Sequence, residues 1–400
     1  MKIAIVGAGI IGVTTAYELA IDGHQVTVFE QQAAVAEQAS FAPAGLLLPD
    51  ELLPWPVQTR LAWPLAAREL TWLWQRRRAH SPAQRAAHHA QLQHLADYSR
   101  ERLHQLSASL PLSYEHSVGS LLLLRSAKEL KQAEPALQRL REAGLACRTV
   151  DAVEARRIEP ALSLDTPLAA AVHWPDDEAG NCRQFAQLLK HVTQRLGATF
   201  EFQARITQLG PGPAALTLAG ESTPHRFDAV VLCAGLDSAR LLAPLGLRLP
   251  LVAVRGYSVS APVREPLNAP RSTIRDARHQ VTVSRLGQRV RVAGGAELGG
   301  RPGAHRDETV QRLYQVLHDW FPGAARLSSG VQVWKGARPT LPDGRPLIGA
   351  SGLPGLWLNL GHGSAGWALA CGSARALADQ IGQRPPEIDL ADLGPARLRR

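Results

Sequence analysis

Cysteine is scarce. Cys147, Cys182, Cys233 and Cys371 are scattered through 400 residues, and none belongs to a C-x-x-C pair. That spacing argues against a disulfide framework and reads as reduced thiols, packed as small hydrophobes in a cytosolic compartment. No uninterrupted apolar run approaches the ~20 residues that a membrane-spanning helix needs. The first strand begins at residue 3, so no leader peptide is expected before it. There is no G-x-S-x-G, no H-E-x-x-H and no pair of acids at a telling spacing. His80, His88, His89, His94 and His104 recur along a polar helical stretch, but no cysteine or carboxylate completes a metal set, so no metal is expected and a solvated face is the simpler reading. The net charge is +9. No nucleic-acid motif accompanies it, which leaves acidic metabolites or an anionic membrane surface ahead of nucleic acid as its partner. Redox chemistry, if present, must come from a bound cofactor.

The first thirty residues supply the place for one. Ile3 to Val6 form a short apolar run, as a strand buried on both faces of a parallel sheet should. Gly7, Gly9 and Gly12 follow as G-x-G-x-x-G, with Ile10 and Ile11 inside the motif. The first glycine permits a tight turn, the second leaves the backbone bare toward a pyrophosphate, and the third lets the helix pack close to the strand. Val26 to Phe29 make the second strand, and Glu30 stands at its tip, followed by Gln31. A carboxylate there can accept both hydroxyls of an adenosine ribose, and the helix N-terminus meets the phosphates. Strand, glycines, helix, strand and acid in register predict dinucleotide binding.

Beyond Gln31, small residues dominate from Ala33 to Gly45. Ser40, Ala44 and Gly45 either let the chain pass close to a cofactor or belong to an ordinary surface loop. Residues 52–78 carry Trp55, Trp63, Trp72 and Trp74, then Arg76, Arg77 and Arg78. Core packing beside a solvated charged turn is one reading; contact with an anionic membrane interface is the other. Arg183 opens an amphipathic helix closed by Gly197, and Phe200, Phe202, Ala204 and Ile206 alternate as a strand. Asp228 to Gly235 is again an apolar strand, ending in the small pair Ala234-Gly235. Alternating strands across 248–298 predict an antiparallel sheet. Near the C-terminus, Gly361-His362-Gly363-Ser364-Ala365-Gly366 ends a strand and opens a helix whose N-terminus can face negative charge.

These segments predict an α/β chain. A discontinuous Rossmann-like FAD-binding domain (1–50, 150–245 and 330–400) carries an inserted α+β substrate or cap domain (51–149 and 246–329) built on an antiparallel sheet. A nucleotide motif at one end and a second glycine-rich loop at the other favour a flavin over nicotinamide, because a helix N-terminus can stabilise the charge a reduced flavin carries near N1.

From end to end the chain resembles the D-amino acid dehydrogenase small-subunit family, within the glycine oxidase and D-amino acid oxidase superfamily. The resemblance rests on IVGAGIIGV, PDDEAGNC, RGYSVS, RVRVAGGAE, GARPTLPDG and LWLNLGHGSAGWALACGS. It implies non-covalent FAD, oxidation of a D-amino acid to an imine that hydrolyses to a 2-oxo acid and ammonia, and delivery of electrons to a quinone or another membrane acceptor. It also implies an enzyme on the cytoplasmic, inner face of a bacterial membrane. By resemblance, Arg338 is the carboxylate-binding arginine, Tyr257 faces the substrate, and His362 and Ser364 lie beside the flavin; Ile206 joins the cofactor contacts. Three departures bear on substrate choice. Pro43 stands where the family carries Asn, His279 stands near an expected pocket tyrosine, and the GHGT loop reads GHGS. These keep open a cyclic amino acid as substrate, as in a D-proline or D-hydroxyproline dehydrogenase. Rival readings are an oxygen-using oxidase of glycine, sarcosine or another secondary amine, and a flavin electron-transfer subunit of a complex.

Overall fold

The computed structural model describes residues 1–48, 59–79, 82–142, 144, 146–210, 214–300 and 306–399. Two large sheets carry the chain. The first has six strands in the order Leu347–Ala350, Leu356–Leu360, Ala229–Leu232, Lys2–Val6, Gln25–Phe29, Thr199–Glu201. All neighbours are parallel except the pair at the Leu347 edge. Helices Ile10–Ile21, Cys182–Arg195 and Gly366–Ile381 share one apolar core on this sheet. The strand–helix–strand start is as the glycine motif requires: the turn at Gly7 has φ 102°, and Gly7 N–H donates to Phe29 O at 2.8 Å.

The second sheet has nine strands, mostly antiparallel, and runs from Gln332–Thr340 through Val252–Pro262, Arg289–Gly299, Val281–Leu286, Thr273–Asp276, Ser117–Leu124 and Ala170–Ala179 to Arg148–Asp151. Strand Arg60–Ala62 adds in parallel beside Arg289–Gly299, and Thr273–Asp276 is parallel to Ser117–Leu124. Helix Asp307–Trp320 covers one face through Leu313, Val316, Leu317 and Trp320.

Three segments lie elsewhere than the sequence placed them. Residues 170–179, grouped there with the nucleotide-binding part, pair in the nine-stranded sheet. Pro175, Asp176 and Asp177 break the alternation at a register irregularity, which hides the strand from a periodicity reading. Strand Gln332–Thr340, also grouped with the nucleotide part, forms the edge of the same nine-stranded sheet. Helix Pro82–Ser109, assigned to the insertion, instead buries Leu92, Leu95, Leu103 and Leu106 in the core shared with the first and last long helices. The run Phe200–Ile206 is not one strand: Thr199–Glu201 closes the six-stranded sheet, and Ile206–Leu209 starts a separate three-stranded one. No helix among the described residues is long and apolar enough to cross a membrane.

Within 52–78, residues 52–58 with Trp55 lie outside the described residues, as does His80. The described tryptophans of this stretch, two of them on helix Ala67–Ala79, differ in their surroundings. Trp72 is buried and its Nε1 donates to Thr340 O at 3.1 Å. Trp63 and Trp74 are exposed, with Leu61 and Leu70 beside them in sequence, and the Arg78 guanidinium lies 4.6 Å over the Trp74 ring.

Candidate active site

A cavity of about 390 Å³ opens where the glycine turn meets the ends of the parallel strands. Gly7, Gly9, Ile10, Ile11, Glu30, Gln31, Ser40, Ile206, Ala234 and Gly235 all line it. A second cavity of about 130 Å³ shares Ile10, Ile11, Ser40, Gly235 and Trp334 with the first and continues past Ala44 and Gly45. It ends on Arg338 and the Gly361–Gly366 loop. Residues more than three hundred positions apart thus wall one continuous channel. Gly12 is absent from its lining, because its role is the strand–helix contact.

The channel suits a dinucleotide with a flavin at its far end. Glu30 is buried and its two oxygens accept Ala8 N–H at 2.7 Å and Gln32 N–H at 2.9 Å, which fixes the carboxylate while leaving lone pairs for a ribose. Ser40 Oγ accepts Ile10 N–H at 3.1 Å, in the first turn of a helix that has no acidic residue there to compete with a phosphate. A Cβ at Gly7 would stand 2.6 Å from Cys233 O. Trp367 lines the far cavity with its indole N–H buried and without an acceptor among the described residues, as expected of a wall that meets a polar ligand. The helix Gly366–Ile381 begins there with no side-chain cap.

Arg338 stands on the Gln332–Thr340 strand. Its pairing with Val254 puts Trp334, Gly336 and Arg338 on the same face as Gly256 and Ser258. Arg338 Nη1 donates to Gly295 O at 3.4 Å, and no ion pair to a carboxylate engages it among the described residues. A Cβ at Gly256 would lie 2.6 Å from Arg338 Nη2, so only glycine leaves the guanidinium its place. Gly256→Ala should therefore displace Arg338 and raise KM for a carboxylate substrate about tenfold or more with FAD content unchanged, measured by steady-state kinetics beside the flavin spectrum. Unaltered KM would remove the steric argument. A glycine inside a strand signals such a close approach, and RGYSVS carried that signal in the sequence.

Two expected substrate residues are not brought to Arg338. Tyr257 borders the cavity, but pairing alternation turns its side chain to the opposite face of the sheet. There its hydroxyl donates to Glu297 Oε2 at 2.9 Å and accepts Arg306 N–H at 3.2 Å. Burial, then Glu297, push its phenol up to about 12. His279 lines a different cavity, of about 280 Å³, with Glu129, Arg278 and Glu297. For Tyr257 the period-two rule decides, since one residue of register separates the two faces, whereas His279 lies in the turn between strands Thr273–Asp276 and Val281–Leu286.

His362 lies on the cavity wall, fully packed, with Nε2 3.2 Å from Ser373 Oγ. Burial holds its imidazole down to about 3, against an ordinary value of 6.5. The ring is therefore neutral at physiological pH and fixes the loop to the last helix. Below pH 6.5 only the unfolded chain takes up this proton, so stability falls as the pH drops toward 3. His362→Gln should flatten the fall in Tm between pH 6.5 and about pH 4 relative to the parent, measured by thermal melts across that range. Parallel curves would show that other groups set the acid sensitivity.

A parallel sheet whose glycine turn opens toward a guanidinium on a neighbouring sheet, unpaired with any carboxylate among the described residues, fits a flavin-dependent oxidoreductase. The chain belongs to the DAO family of FAD-dependent oxidoreductases, whose model matches residues 2–380, and FAD is its cofactor. A D-amino acid dehydrogenase from Cereibacter sphaeroides is 38% identical over 99% of this chain and 95% of its own length. One from Bradyrhizobium diazoefficiens is 36% identical over 98% of each. In fold, the chain is similar to glycine oxidase from Bacillus cereus (TM-score 0.76, 20% identity, 96% of each chain). It is also similar to L-alpha-glycerophosphate oxidase from Mycoplasma pneumoniae with FAD bound (TM-score 0.74, 17% identity, 97% of this chain and 96% of that one).

Proposed function

We propose that the protein oxidises D-amino acids to imines, which hydrolyse to 2-oxo acids and ammonia, and that its electrons go to a quinone or another membrane acceptor. The observation that carries the reading is Arg338, a guanidinium on the cavity wall with no carboxylate partner among the described residues. Support for the substrate class comes from relatives named D-amino acid dehydrogenase along nearly the whole chain. FAD, when bound, supplies the two-electron acceptor at N5. The chain's own residues bind and orient: Arg338 grips the α-carboxylate with two parallel hydrogen bonds and so fixes the direction of the α-hydrogen. The neutral α-amine needs no side-chain base, and neither Tyr257 nor His362 is assigned one. Gly361–Gly366 and the following helix N-terminus, which border the far cavity, would stabilise the negative charge that a reduced flavin carries there.

Exposed Leu61, Trp63, Leu70 and Trp74 with Arg76, Arg77 and Arg78 form the surface by which the enzyme meets the inner face of a bacterial membrane in this reading. The test is an anaerobic screen of D- and L-amino acids for bleaching of the bound flavin, followed by parallel assays of peroxide and quinone-analogue reduction. Bleaching by D-isomers with quinone reduction dominant is expected. Bleaching only by glycine, sarcosine or L-isomers overturns the substrate, and peroxide as the main product overturns the acceptor.

A further inference from the structure

On the face that carries Arg338, the register runs from Gly256 to Ser258 opposite Ala293, then to Ser260 opposite Arg291. Ala293 borders the cavity, and Arg291 lies two residues further along the same face. Arg291 is 8% exposed, its Nε has no partner, and no ion pair to a carboxylate forms with it among the described residues. Its Nη1 donates to Pro43 O at 3.1 Å. Ser284, opposite Arg291 on the next strand, donates through Oγ to Ala44 O at 2.9 Å. Pro43 and Ala44 are themselves cavity wall. The guanidinium thus sits directly behind the segment that passes the flavin end of the channel.

Burying a lone cation is costly, and a neutral donor such as glutamine would serve to tether one carbonyl. The surroundings do not neutralise it. Glu115, the carboxylate whose charge acts on it, accepts Asn181 Nδ2 at 2.7 Å, while Arg289 and Arg183 add like charge and the Cys182 thiol beside it is held protonated by burial. Burial pushes Arg291 below the ordinary guanidinium range, to about 10, which still leaves it cationic at neutral pH.

We infer that Arg291 is a positioning residue with an electrostatic role, tethering Pro43 beside the cofactor channel, as Ser284 tethers Ala44, and holding a positive charge that favours flavin in its negatively charged forms. This goes beyond the substrate reading and rests only on FAD binding. Its test therefore uses no amino acid.

The probe is sulfite, which adds to oxidised flavin and leaves negative charge on the ring, with the midpoint potential of the bound FAD as a second readout. Arg291→Gln keeps a donor for Pro43 O and removes the charge. It should weaken sulfite binding about tenfold, the order of effect expected when a unit charge is removed from a weakly screened interior near a developing negative charge, and lower the potential. Arg291→Lys should recover most of the loss. Ser284→Ala loosens the same segment without touching charge, so it should weaken FAD binding and leave sulfite affinity in place. Glu115→Gln removes an opposing negative charge and should raise sulfite affinity. Parent-like sulfite affinity and potential in Arg291→Gln would overturn the proposal, as would a Ser284→Ala variant reproducing the whole change. Where Arg291→Gln does not retain FAD, an unmoved sulfite affinity in Glu115→Gln overturns it instead.

Discussion

Arg338→Lys should lose on the order of 10²–10³-fold in kcat/KM for the best D-amino acid while retaining a full complement of FAD. Lysine keeps the charge but offers a single tetrahedral donor group on a flexible stem, so the planar two-point grip on a carboxylate is gone. Both parameters should suffer. KM rises because the carboxylate is held less tightly, and kcat falls because the α-hydrogen is no longer held in one direction. The flavin site should not respond, since Arg338 borders only the far cavity, whereas Glu30, Gly7 and Gly9 wall the near one. Kinetics beside the visible flavin spectrum checks both halves. Near-parent kcat/KM would remove Arg338 from substrate binding, and with it the proposed substrate class.

The contrast between Arg338 and Tyr257 marks what the sequence could say. Local chemistry was legible. The nucleotide motif reads from its residues alone, because glycine spacing, helix start and terminal acid are all fixed within one strand–helix–strand unit. Every cofactor residue expected from the motif, the small-residue loop and the C-terminal glycines borders the channel, except Gly12, whose place is the strand–helix contact. Which face of a distant strand a side chain takes was not legible. Tyr257 and Arg338 lie on adjacent strands, and only the observed register, with Tyr257 opposite Lys335 and Val254 opposite Arg338, separates them. His279 lies in the turn that joins Thr273–Asp276 to Val281–Leu286 and borders a different cavity, a placement set by where that hairpin sits in the sheet. The strand at 170–179 was hidden because its alternation is broken by Pro175 and two aspartates, one of which, Asp177, is buried against Ser120 and Arg275. Its identity depends on long-range partners, which local pattern does not encode.

The glycines of the first turn should separate into two kinds when each is changed to alanine. A Cβ at Gly12 would be driven into Gly7 O, a backbone atom that cannot rotate away, and Gly7 is itself pinned at φ 102° by its bond to Phe29 O. The helix must then lift from the strand, which dismantles the turn whether or not cofactor is present. Gly12→Ala should lower the Tm of the FAD-free protein by several degrees, on the order of 1–3 kcal/mol of overpacking, and weaken FAD binding at least a hundredfold. At Gly9 the nearest atom to an added Cβ is Ser40 Oγ at 3.4 Å, an ordinary contact, and the residue has φ −68°, which alanine adopts freely. Gly9→Ala should leave the FAD-free Tm near the parent value and weaken FAD alone, because its methyl group projects where the pyrophosphate must approach the backbone. Thermal melts with and without FAD, together with FAD titrations, distinguish the two outcomes. An equal loss of FAD-free Tm in both variants would mean that the bare backbone at Gly9 serves packing rather than the cofactor, and the assignment of the channel's near end would fall with it.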